Sequence, residues 1–75
     1  MELEDFVRNF AEQFEETDPS EIQADTKYHD LDEWGSLTAM GVIAMVKTQY
    51  DKSIKGIEIR ECETVEDLFN LVASK

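Results

Sequence analysis

Basic side chains are scarce in this chain: seven lysines and arginines stand against eighteen aspartates and glutamates, a formal net charge of −11 at pH 7. A field of that sign repels nucleic acid and anionic membrane surfaces, and it makes basic proteins the expected partners. Cysteine is nearly absent as well. Cys62 alone excludes an internal disulfide and leaves no Cys and His set for structural zinc, so it reads as a packing residue. The one histidine, His29, comes without a nucleophile-elbow pattern or a phosphate loop, which argues against a self-contained hydrolase or nucleotide enzyme. No apolar run approaches the ~20 residues of a bilayer span, and the acidic start lacks the layout of a secretory signal; the expected location is the cytoplasm. With one proline, three glycines, no repeat and no low-complexity linker, residues 1–75 are expected to form one domain. The reading favours a discrete protein over a domain cut from a multienzyme.

What the chain does have is helical periodicity. Leu3, Phe6, Val7, Phe10 and Phe14 fall on one stripe and predict an amphipathic first helix that stops before Pro19. Asp18-Pro19-Ser20-Glu21 combines an N-cap, a proline at the first helical position and an acid three after the cap, which predicts a short turn through Ile22. A long loop then reaches Gly35, with Tyr28, Leu31 and Trp34 as its anchors. A second helix is predicted over 36–50, with Ala39, Val42, Ile43, Val46 and Tyr50 on the core face. The segment 51–63 is read as a connection anchored by Ile57 and Ile59, bent at Gly56, with a helical turn near Arg60 to Cys62. Thr64 caps a last helix whose inward stripe is Val65, Leu68, Phe69 and Val72. The expectation is an all-α bundle of three main helices plus a short one, closed by a long first loop.

The charges are unevenly placed. Residues 1–33 hold twelve acids and two bases, whereas residues 34–50 hold no acid and only Lys47. The second helix is therefore an uncharged island, and it is apolar on more than one side. Leu37, Met40 and Ala44 lie opposite its core face, together with Gly41 and Thr48. In so small a domain few elements remain to cover both faces, so this one is read as a partner-binding patch. At its start stands Ser36, where free backbone N–H groups and the positive end of the helix dipole favour an attached phosphodiester; an ordinary N-cap serine is the competing reading. A calcium loop beginning at Asp30 fails, because Trp34 and Gly41 occupy positions that need oxygen ligands.

The pattern resembles the acyl carrier protein family over essentially the whole chain. The resemblance rests on the long first helix, an extended loop ending in an apolar anchor, the Ser36-Leu37 pair opening the second helix, and the Thr64-Val65 start of the last. It implies an acyl-carrier-protein-like four-helix bundle with no catalytic site of its own. It also implies that a phosphopantetheinyl transferase, drawing on coenzyme A, places 4'-phosphopantetheine on Ser36. Acyl groups would then be held as thioesters and presented to acyl-loading, modifying and acyl-transfer enzymes with basic or apolar docking patches. Two departures stand out: Gly35 replaces the aspartate of the family's usual Asp-Ser-Leu, and Thr38, Gly41, Lys47 and Thr48 stand where the family often has acids. Docking is accordingly expected to lean on Leu37, Met40, Gly41 and Ala44, with Asp30, Asp32 and Glu33 steering by charge. A monomeric carrier of a specialised lipid or secondary-metabolite pathway fits these departures better than the general carrier of fatty acid synthesis. The alternative is an unmodified carrier-fold adaptor that binds partners through the second-helix face.

Overall fold

The leading aromatic stripe winds into helix α1, Leu3–Ala11, which buries Phe6, Phe10 and Ala11 and keeps Glu4 and Asp5 in its first turn, where the dipole favours acids. The structure, a computed structural model, describes residues 2–75. Helix α1 ends earlier than the stripe predicts. Past Ala11 the chain tightens, with Gln13 N–H bonding the Phe10 carbonyl and Phe14 N–H bonding that of Ala11, both at 3.1 Å. This three-residue spacing turns Phe14 inward from outside the helix, and it remains part of the core.

Asp18 caps a 3₁₀ turn at Pro19–Glu21 by accepting the Ser20 N–H, and that bond holds its carboxyl below the ordinary value. Ile22 then enters the core. A second 3₁₀ turn, Tyr28–Asp30, lies inside the segment expected to be plain loop. Of the three expected anchors Tyr28 is fully buried, while Leu31 and Trp34 are half-buried against the core.

Helix α2, Ser36–Tyr50, has the bounds its sequence predicts. Val42 and Val46 are buried as expected, and Met45 joins them while Ala39, Ile43 and Tyr50 are only partly covered. The reason is position: α2 touches both α1 and the short helix α3, Gly56–Glu61, and Ala39 and Ile43 line a groove left between α2 and α3, so the buried arc is shifted toward Met45. Asp51, with φ of 55°, takes the left-handed conformation that ends α2, and Lys52 N–H reaches back to the Val46 carbonyl. The reversal expected at Gly56 thus occurs at Asp51; Gly56 opens α3 with no left-handed φ.

The anchors of this connection are also corrected. Ile54 and Ile59 are buried, whereas Ile57 is 55% exposed. Helix α3 begins at Gly56, so Ile57, two positions before Ile59, lies about 200° around the helix from it. Helix α4, Val65–Ala73, buries Val65, Leu68 and Val72 and packs on α1. Its start is a capping box: Thr64 Oγ1 accepts the Asp67 N–H at 3.1 Å and Asp67 accepts the Thr64 N–H at 3.2 Å.

The first loop is stitched to the far side of the bundle. Val65 N–H bonds the Thr26 carbonyl and Glu66 N–H that of Ala24, and Lys27 pairs with Thr64 in a single antiparallel bridge. Among the described residues there is no extended strand. The Cα radius of gyration is 10.9 Å, against about 11 Å for a packed domain of this length, so the loop lies on the bundle and does not hang free. Among the described residues no helix is long and apolar enough to cross a membrane.

Candidate functional site

Ser36 reaches its position through two residues that fasten the loop just before it. Trp34 is stacked on Phe10, with ring centroids 6.1 Å apart and planes 10° from parallel, and its other neighbours are Tyr28, Phe14 and His29. Such aromatic pairs contribute about 0.5–1.5 kcal/mol each beyond simple burial. Glu33 is fastened by polar contacts. Its carboxylate accepts the N–H groups of Glu15, Glu16 and Thr17 at 2.6, 3.0 and 2.8 Å, and the Thr17 hydroxyl at 2.7 Å. The turn after α1 wraps an anion in the way a backbone nest does. The Thr17 hydroxyl first, and then the three backbone donors, hold the Glu33 carboxyl below its ordinary value. Glu33 was expected to steer partners from the loop; its charge is instead turned onto the chain, and only Asp32 of that pair is exposed.

After these anchors Gly35 is fully extended and serves as the N-cap of α2. Among the described residues no side chain caps this end. The first in-chain bond here runs from Ala39 N–H to the Gly35 carbonyl at 2.9 Å, so the N–H groups of Ser36, Leu37 and Thr38 have no protein partner among the described residues. Thr38 turns its hydroxyl away from them, donating to the Glu33 carbonyl at 3.1 Å. Ser36 is exposed and is the first residue of the helix, not its cap, so the ordinary N-cap serine is not what the structure contains. A Cβ added at Gly35 would meet nothing within 4 Å, so the missing aspartate reflects no shortage of room.

Beside Ser36 the surface is apolar. Leu37 is 83% and Met40 64% exposed, and Ala44 continues the same face. Gly41 is half-buried because Gln13 lies over it; a Cβ there would come within 3.3 Å of the Gln13 amide oxygen. Ile57, unexpected from sequence, is the third large apolar side chain left exposed in the molecule's described residues.

Two clefts flank Ser36. Between α2 and α3 a groove of about 420 Å³ has walls of Trp34, Ala39, Met40, Ile43 and Ile59, with His29 and Arg60 also lining it. On the α1 side a cleft of about 330 Å³ is bordered by Glu15 and Glu33. The position of α3 beside the groove is set by the loop: the buried Tyr28 hydroxyl donates to the Ile59 carbonyl, and His29 Nε2 to that of Cys62 at 2.9 Å. The second bond assigns the proton to Nε2. Burial pushes the Tyr28 hydroxyl well above its ordinary value. Burial, reinforced by the carboxylates of Asp67, Glu58 and Glu61, likewise raises the half-buried Cys62 thiol. A thiol held protonated in this way is a poor nucleophile and suits a packing role.

Sequence reasoning therefore placed Ser36, Leu37, Met40 and Ala44 on one exposed surface, and it missed Ile57, Arg60 and the inward role of Glu33. The only trace of Arg60 in the sequence was its being the sole base within α3. Comparison with models of known protein families, with curated proteins and with solved structures returned no match.

Proposed function

We propose that the chain is an acyl carrier protein, with an acyl-carrier-protein-like bundle and 4'-phosphopantetheine attached at Ser36. The observation that carries this reading is the state of the α2 start: an exposed serine at the first helical position, three N–H groups without a partner among the described residues, and apolar Leu37 and Met40 beside it. These residues fit the group. The serine hydroxyl is open to a transferase, and the free N–H groups with the helix dipole favour the phosphodiester by about 0.3–1 kcal/mol. Bound there, the group would supply a thiol that holds acyl chains as thioesters.

The chain's own part is to hold, orient and be recognised. Trp34 and Glu33 fix the approach to Ser36, while Leu37, Met40 and Ala44 offer an apolar contact to acyl-loading, modifying and transfer enzymes. Asp30 and Asp32, exposed in the adjoining loop, would draw basic partners. No catalytic role is assigned to any residue. The departures at Gly35 and along α2 favour a dedicated lipid or secondary-metabolite pathway.

A second reading, an unmodified adaptor using the same face, is favoured by Gly35 alone. Intact mass after incubation with coenzyme A, magnesium and a broad-specificity phosphopantetheinyl transferase separates the two. One phosphopantetheine added to the parent and none to Ser36→Ala is the expected result. No addition to a folded parent by any of several transferases would favour the adaptor.

A further inference from the structure

Ser36 stands between two clefts of opposite charge. On the α1 side the cleft is bordered by Glu15 and by Glu33, whose carboxyl is held ionised. On the α2–α3 side the groove carries Arg60 and no carboxylate. Arg60 is exposed and, like Lys27, Lys52 and Lys55, forms no ion pair among the described residues; of these four it is the one that lines the groove beside Ser36. It is thus a cation left free on a strongly acidic surface, lining the same groove as Ser36. An anion fixed to Ser36 is repelled from one side and attracted to the other.

Resting on the reading of Ser36 as an attachment point, we infer that Arg60 is a positioning residue that holds a phosphate carried on Ser36 to the α2–α3 side. The guanidinium suits this task because its fork of donors matches phosphate oxygens and keeps its charge at every relevant pH. With the phosphate held there, anything attached beyond it starts along the apolar wall of Met40 and Ile43 and away from the acidic cleft.

The test needs no transferase, so it can fail separately from the carrier reading. A 75-residue chain is within reach of semisynthesis, and phosphate can be placed directly on Ser36. The second ionisation of phosphoserine lies near about pH 6 and is followed by ³¹P NMR. A guanidinium drawn onto the phosphate should lower that midpoint by about half a pH unit or more relative to Arg60→Gln, since the dianion gains more than the monoanion. Arg60→Lys should retain most of the shift, and 1 M salt should remove it. On placing the phosphate, the Arg60 Nε–H and the Ile43 and Ile59 methyl NMR signals should move. Equal midpoints in the parent and Arg60→Gln would overturn the inference, as would signal changes centred on Gln13, Leu37 and Thr38. Because Arg60 is exposed, both variants should fold as the parent does.

Discussion

Where α4 begins, every first-turn N–H is bonded: Thr26 and Ala24 supply carbonyls to Val65 and Glu66, and Thr64 supplies its hydroxyl to Asp67. Where α2 begins, the corresponding groups of Ser36, Leu37 and Thr38 are bonded to nothing in the described protein. The two helices differ in exposure as well. The start of α4 is wrapped by the first loop, whereas that of α2 is presented by it. The closed end serves stability, and the open end leaves three backbone donors and the positive end of the helix dipole facing outward.

The largest expected effect comes from cutting the tie between the first loop and α3. Tyr28→Phe keeps the ring but leaves the buried Ile59 carbonyl without its donor, and urea denaturation should show a loss of about 1–3 kcal/mol. Thr64→Ala removes the side-chain half of the α4 cap and should cost about 1 kcal/mol. Ser36→Ala, one position inside the start of α2, should change stability by less than about 0.5 kcal/mol and, if the carrier reading holds, abolish attachment. A loss from Ser36→Ala as large as that from Thr64→Ala would erase the contrast.

Glu33 offers a comparison through pH. Its carboxyl titrates lower in the folded protein than its ordinary value of 4.5, so the unfolded chain binds the proton first. Its stabilising contribution is fully present above that ordinary value and is lost as the pH falls through the lower folded one. Glu33→Gln should therefore show a smaller drop in stability than the parent between about pH 5 and 3 in parallel melts. The smallest effect is expected from giving α2 the cap it lacks. Gly35→Asp has room for its side chain and should add a few tenths of a kcal/mol. If the carrier reading holds, it should also speed modification by a general transferase. An unfolded Gly35→Asp would show instead that residue 35 has no room for a side chain.

The sequence was most informative where structure depends on near neighbours. The bounds of α2, the Asp18 turn, the Thr64 cap and the exposure of Leu37 and Met40 all follow from spacing and cap chemistry within one helical turn. It was least informative where a side chain acts across the fold. Glu33 reaches back to Glu15, Glu16 and Thr17, and no local pattern distinguishes such a carboxylate from the solvated Asp32 beside it. Short elements misled for a related reason. In a six-residue helix the starting point decides which isoleucine faces in, and Ile54, just before it, took the buried place expected of Ile57. At the candidate site Ser36 and its apolar neighbours were legible. Arg60 was not, because its relation to Ser36 exists only once α3 is laid beside α2.

The placement of Trp34 has a practical consequence. It is the only tryptophan in the chain, it lies two residues before Ser36, and it lines the groove while resting on Phe10 and Tyr28. Its indole therefore touches both the core and the space next to Ser36. The molecule carries a built-in optical reporter: unfolding and filling of the groove should each alter the emission of a single, unlabelled fluorophore.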